Sequence, residues 1–441
     1  MNLTFSFRFA ASPRGRQGRS RFSSGFAALA SAAALIWTVT PAALAQPGAL
    51  DSSFDWDGRA LISLYPQPNF LALDVAQESS GSLIVGGIIE DSGPTGVSGF
   101  VLRLNSSGAR DMAFNGGLGY AFIDFSSFTF GPSEDRVEAV AVQPDGKVVI
   151  AGSTNAEGSK DMLAMRFHAN GTVDWSFNGG LGHLIVPFDT NGPAPDSAYD
   201  VALQSDGKIV LAGSATHSQL DTDFAAVRLL PSGDLDPSFG GGGQVTIPVD
   251  LGTSGTWTDD AHALAVQSDG KIVLAGESTD SFSSSRMSFV RLLPTGTLDN
   301  SFGTYGKRSV SFTSGFDRAS GLAIDSSGRL VAGGFAGGGL PAGADFAALR
   351  LTAAGGLDSS YGSGSSGKAT VNFSLGPYSE DLGIDLELDS GDRALISGLV
   401  GRQNGSDFGV VRLTSGGVLD SSFGKQTYDF GWLFSPTDDQ P

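Results

Sequence analysis

Apolar residues in this chain come in short bursts, never in long stretches of helical period. Between residues 244 and 293 they form four runs: QVTIPV (244–249), ALAVQ (263–267), KIVLAG (271–276) and SFVRLL (288–293). β-Branched and aliphatic side chains fill the runs, and Gly, Asp, Pro and Ser separate them, the pattern of strands joined by turns. After residue 45 no segment keeps a 3.6-residue apolar period for three turns. The pattern predicts an all-β chain.

The same bursts return at a fixed interval. AVQSDGKIVLAG begins at Ala265, and near-copies begin at Ala141, Ala202 and Ala323. A second element, Leu-Asp-x-Ser-Phe and its variants, is centred on Asp51, Asp111, Asp174, Asp236, Asp299, Asp358 and Asp420, in steps of 60, 63, 62, 63, 59 and 62 residues. Regular self-similarity points to a repeat architecture. Each period holds four strands, and such a unit cannot bury both faces of its sheet alone. Units set radially bury each face against a neighbour and leave only short edges. Small residues at Ala139, Ala141, Ala263, Ala265 and Ala323 mark the second strand of each period as the innermost, where crowded sheets converge.

Six full periods predict a six-bladed β-propeller of four-stranded antiparallel blades over residues 46–434, each repeat about 62 residues long. One strand is surplus, RALISL (59–64) or QTYDFGWLF (426–434), and one of the two is expected to close the ring by pairing across the termini. A seven-bladed ring is the alternative if both join a partial blade.

The recurring residues read as scaffold. Gly81, Gly146, Gly207, Gly270, Gly328 and Gly391 hold one place in the hairpin turn, where Gly takes the left-handed conformation. The residue after each aromatic is Asp, Asn or Gly, types that tolerate positive φ. Arg103, Arg166, Arg228, Arg291, Arg350 and Arg412 each stand eight residues before Asp111, Asp174, Asp236, Asp299, Asp358 and Asp420. Six equal spacings imply a rigid connection, expected to be an Arg–Asp ion pair with added bonds to backbone carbonyls.

LDPSFG, AVQPDGK, KIVLAG and FAAVRLLPSG together resemble the delta-60 repeat family of exported bacterial proteins, and the resemblance spans residues 50–424. It implies a propeller-like fold. It implies no activity, since the family has none established. The first and sixth repeats depart most, placing charges in the inner strand.

Residues 1–45 read as a signal peptide. Arg8, Arg14, Arg16, Arg19 and Arg21 precede an apolar run from Phe26 to Val39, followed by the cleavage pattern Ala43-Leu44-Ala45. Cleavage near Ala45 predicts a periplasmic or secreted protein with no membrane span in the mature chain. Residues 435–441 read as a flexible tail. Removing five Arg takes the net charge from −19 to −24, which repels phosphate backbones and excludes nucleic acid as a partner. Cysteine is absent, so stability must come from apolar burial and hydrogen bonds. A monomer is expected.

Chemistry is sparse. Strand alternation sorts the loops onto a uniform face, carrying the Asp-Gly turns, and a variable face at the channel mouth. Variable loops on one side of a repeat array mark its binding side. On that side Asp135, Asp196, Asp259, Asp317 and Glu380 stand eleven residues before the turn Gly, with Phe70 in the first repeat. They predict a ring of carboxylates able to take calcium, although no cofactor is required, or else acids that each cap their own loop. Phe128, Phe130, Trp257 and Tyr378 nearby could contact a protein, peptide or glycan ligand. His168, His183, His217 and His262 fall at unrelated repeat positions, so neither a zinc site nor a triad is indicated. The chain therefore reads as an exported binding module. A calcium-assisted, lactonase-like hydrolase using the acidic ring is the alternative.

Overall fold

A computed structural model describes residues 4–5, 54 and 69–428, except the loop segments 91–95, 126–132, 189–193, 219–220, 250, 252–257, 282–283, 338–342, 376–379 and 403–404. The candidate signal peptide (apart from 4–5), the strand proposed at 59–64 and the tail at 435–441 lie outside the described residues.

The protein is a six-bladed β-propeller with almost no helix. Blade 4 shows the plan. Its inner strand Asp259–Val266 pairs antiparallel with Ile272–Ser281, that with Ser284–Leu292, and that with the short outer strand Lys307–Val310. The inner strands of the other blades are Asn69–Gln77, Arg136–Val142, Ser197–Leu203, Phe316–Ile324 and Asp381–Leu388, in chain order. Two-residue strands at Thr4–Phe5 and Ser133–Glu134 add parallel pairs to the first blade.

The sixth blade is completed by Lys425–Tyr428, which pairs with Phe408–Val411 of its own sheet. Among the described residues no strand crosses from one terminus to the other. The ring closes by packing instead. Six apolar cores fill the six interfaces, and the one between blades 6 and 1 joins Phe70, Phe100 and Leu102 to Leu395, Phe408, Val410 and Phe423. Phe114, Phe177, Phe239, Phe302, Tyr361 and Phe423, the aromatics of the repeated signature, are each buried in one core.

The Arg–Asp pairs anchor these aromatics. Arg166, Arg228, Arg291, Arg350 and Arg412 hold the Asp eight residues on at 2.7–2.9 Å through Nε, and Arg103 holds Asp111 at 3.0 Å. The other Asp oxygen accepts from the backbone N–H two residues on, closing the turn. At five interfaces the Arg also reaches across. Arg103, Arg166, Arg228, Arg291 and Arg350 donate through Nη1 to carbonyls of Ala169, Pro231, Pro294, Ala353 and Ser415 in the next blade. A backbone bond runs beside each, from Asn115, Asn178, Gly240, Gly303 and Gly362 to Asn170, Ser232, Thr295, Ala354 and Gly416. Among the described residues Arg412 makes no such reach, and the Gly424 N–H returns to Asp420 of its own turn. Among the described residues, the seam where the ring closes lacks these two inter-blade bonds.

One glycine per blade has a steric cause. The sheet register slips by one residue in every inner strand, a β-bulge lying between Ala261 and Ala263 in blade 4. The bulge pushes the Asp260 carbonyl against the second strand. A Cβ at Gly276 would sit 1.8 Å from that oxygen, and Gly152 and Gly213 are equally crowded by Arg136 and Ser197. The closing glycine of KIVLAG therefore makes room for the bulge. Gly276→Ala is expected to cost about 3 kcal/mol, the upper end for overpacking, because the obstacle is backbone. Thermal melting checks this, and an unchanged midpoint would mean that the bulge yields freely.

Candidate site at the channel mouth

The bulge turns one side chain per blade out of the repeating in-and-out order, a usual device for re-aiming a residue. Those residues are Leu73, Glu138, Tyr199, His262, Ser320 and Ile384. They stand where the inner strands of successive blades lie side by side around the axis. The Tyr199 and His262 rings are 5.1 Å apart across the boundary of blades 3 and 4. No two of the six are alike, although the scaffold around them repeats.

Charged groups gather at the first ends of the inner strands in blades 2 to 5. Arg136 Nε holds Glu138 Oε1 at 2.7 Å. In blade 4, Asp260 lies directly across from Glu277 on the second strand. Arg318 of blade 5 grips Glu277 Oε1 through Nε at 2.9 Å and Nη2 at 2.5 Å, while its guanidinium lies 5.5 Å from the centre of the Phe335 ring. Thr222 Oγ1 donates to Asp260 Oδ1 at 3.3 Å, and Ser285 Oγ to Glu277 Oε2 at 3.2 Å.

The field at the mouth is felt by its members. Burial alone would raise the Glu277 carboxyl. His262 and the Arg318 guanidinium outweigh it and hold the group at about 2, so it is ionised. Burial, helped by the Asp260 charge, pushes the Tyr199 phenol up. Burial and the nearby Arg136 pull the Lys160 ammonium down against the opposing charges of Glu138 and Glu134. Groups on blades 2, 3, 4 and 5 thus form one electrostatic neighbourhood.

The acidic ring read from the sequence does not assemble as a ligand set. Asp135, Asp196, Asp259 and Asp317 are buried, and each accepts the backbone N–H of a residue just beyond the preceding outer strand: Phe125, Phe188, Val249 and Phe312, at 2.6–2.8 Å. Their oxygens also serve the second strand, from Thr154 Oγ1 to Asp135 (2.5 Å) and from Thr216 N–H to Asp196 (2.9 Å). These acids staple the loop that carries the chain from one blade to the next. Burial pushes the carboxyls of Asp135, Asp317 and Asp381 up. Glu380 is exposed, and the staple in blade 6 is Asp381, which accepts from Phe373 N–H at 2.8 Å. Among the described residues, three candidate ligands meet within 4.8 Å only at Asp260, His262 and Glu277.

The offset in blade 6 has one cause. The left-handed turn residue is Asp392, at φ 58°, and not Gly391. Counting eleven residues back from Asp392 gives Asp381. His262 escaped the sequence reading because the four histidines share no repeat position. The signal that finds it is the place eight residues before the turn glycine, shared with Glu138 and Tyr199. Phe128, Phe130, Trp257 and Tyr378 lie outside the described residues.

Residues 143–177, 204–239, 267–302 and 395–423 match the family described as "Domain of unknown function (DUF5122) beta-propeller". The chain is built of β-propeller repeats. The matches fall in blades 2, 3, 4 and 6 and run from the hairpin turn, or within the second strand in blade 6, to the buried aromatic. They cover the repeating scaffold of those propeller blades and none of the bulged residues. No curated protein matches the chain. A protein of unknown function from Dyadobacter fermentans is similar at 12% identity and TM-score 0.45, over 79% of this chain and 96% of that one. A gluconolactonase from Xanthomonas campestris is similar at 14% and 0.34, over 83% and 96%. A polysaccharide lyase described as an ulvan lyase is similar at 10% and 0.41, over 85% and 84%. None of these likenesses bears on the chemistry of the propeller described here.

Proposed function

We propose that the protein is an exported binding module whose ligand face is the channel mouth of blades 2 to 5. One observation carries the reading. The repeat keeps its packing, turn and ion-pair residues and changes, in every blade, the single bulged side chain that the inner strand presents. A scaffold held constant around varied side chains, polar in blades 2 to 5, is the arrangement of a recognition surface on a repeat array. Glu138, Tyr199, His262 and Arg318 offer donors, acceptors and an aromatic face within one neighbourhood, suited to a polar ligand such as an oligosaccharide. The sixty-residue step and the quoted motifs support the delta-60 assignment, and the basic-then-apolar start with Ala43-Leu44-Ala45 supports export. The binding reading is preferred to the hydrolase alternative because the aspartates of the acidic ring are engaged in loop hydrogen bonds.

The test is an oligosaccharide array probed with the native chain and with Glu138→Ala/Tyr199→Ala/Arg318→Ala. Capture by the native protein, reduced at least ten-fold in the variant at an unchanged melting temperature, is expected. Equal capture by both, or none by either, would refute the mouth as the ligand face.

A further inference from the structure

Blade 4 brings three metal-ligating side chains together away from every scaffold position. Asp260 and His262 stand two residues apart on the inner strand, and Glu277 faces Asp260 from the second strand. One ligand atom of each lies within 4.8 Å of the other two. His262 Nε2 is buried and faces Glu277 Oε1 at 3.5 Å, longer than a firm hydrogen bond. Neutral imidazole nitrogen is the commonest metal ligand, so an ion is the natural partner for it. The two carboxylates are already oriented by hydroxyls, Thr222 on Asp260 and Ser285 on Glu277, the outer contacts that metal sites use to fix their ligands.

We infer that the propeller binds one divalent transition-metal ion of the zinc class through Asp260, His262 and Glu277. The imidazole selects such an ion over calcium, which takes oxygen ligands. Three protein ligands leave a coordination position for water or for an oxygen of a ligand at the mouth. Arg318 competes for Glu277. It is the most exposed member of the group, its side chain 37% accessible, and can turn away as the ion enters. Binding exchanges an ion pair for a metal–carboxylate bond. The inference goes beyond the mouth reading and does not need it, because the ion is measured with no other ligand present.

Isothermal titration of the full-length chain, stripped with EDTA and dialysed, against zinc chloride is expected to show one ion per chain, with no heat from calcium chloride. His262→Ala and Asp260→Asn are each expected to weaken zinc binding at least ten-fold while the metal-free melting temperature stays the same. Arg318→Met is expected to tighten it several-fold by removing the competing cation. Cobalt(II) in place of zinc should give visible d–d bands that both ligand variants lose. Absent zinc binding, binding undiminished in His262→Ala, or weaker binding in Arg318→Met would overturn the inference. Should His262→Ala fail to fold, cobalt bands unchanged in Asp260→Asn would overturn it.

Discussion

Arg228→Met is expected to cost about 3–5 kcal/mol, the range for removing one partner of a buried ion pair. The guanidinium does four things at once. Its Nε holds Asp236 at 2.8 Å, its Nη2 meets Ser238 Oγ at 3.1 Å, its Nη1 reaches the Pro294 carbonyl in the next blade, and its plane lies 4.6 Å from the centre of the Phe239 ring. Methionine fills part of the volume and leaves the Asp236 carboxylate buried with Lys208 as its remaining cation, at 3.2 Å. Arg412→Met removes the same pair with Asp420 and the same stacking on Phe423 but no inter-blade carbonyl bond. Its cost should be smaller by about 1.5–3 kcal/mol, the worth of a hydrogen bond to a charged group. Urea unfolding of the two variants side by side checks this. Equal midpoints would show that the reach across the interface adds nothing and that the pair alone matters. A double variant, Arg228→Met with Asp236→Asn, should recover part of the loss because no uncompensated charge then stays buried.

The scaffold was legible because each physical requirement recurs in every blade. An Arg and an Asp at a constant spacing of eight, an aromatic three residues beyond the Asp, and a residue able to take positive φ after it state one packing problem and its solution. The site was much less legible. A bulge shifts the inside–outside alternation by one residue, so a reading of period two places His262, Glu138 and Tyr199 as ordinary strand positions. Its trace in the sequence is the glycine on the neighbouring strand, which reads as the end of a strand until the carbonyl beside it is seen. The acids eleven residues before the turn were visible as a repeated feature, yet repetition favours a structural role. A feature shared by five blades does what all five need, which here is stapling a loop. Blade 6 broke the count because Asp392, and not Gly391, takes the left-handed turn, moving Glu380 to the surface and Asp381 into the staple.

Stability is expected to pass through a maximum on the acid side of neutrality and then collapse. Two sets of aspartates set the profile with opposite signs. For the stapling residues Asp135, Asp317 and Asp381, burial puts the folded carboxyl above its ordinary 3.8. As pH falls from 7 the folded state takes up these protons before the unfolded chain does, so stability rises, and the gain is complete below the unfolded value. The net charge of −19 adds to the rise, since protonation relieves self-repulsion. The paired residues act the other way. Burial raises the Asp174 and Asp358 carboxyls, but the hydroxyl and backbone N–H of Ser176 and Ser360, with the Arg166 and Arg350 charges, overcome it and hold both at about 2. Asp236, Asp299 and Asp420 are lowered by equivalent partners. A depressed folded value gives stability that is present above 3.8 and is lost as pH falls toward 2. For Asp174 and Asp358 the drop from 3.8 to about 2 is worth about 2 kcal/mol each, and with Asp236, Asp299 and Asp420 lowered as well the loss exceeds what the staples return. Melting temperature followed from pH 7 to pH 2 should therefore climb modestly, peak near pH 4–5 and fall steeply below. Half-molar salt should flatten the climb by screening the repulsion and leave the collapse, because the pairs are buried. A melting temperature that falls steadily from pH 7, or a chain still folded at pH 2, would show that the Arg–Asp anchors do not hold the blades together.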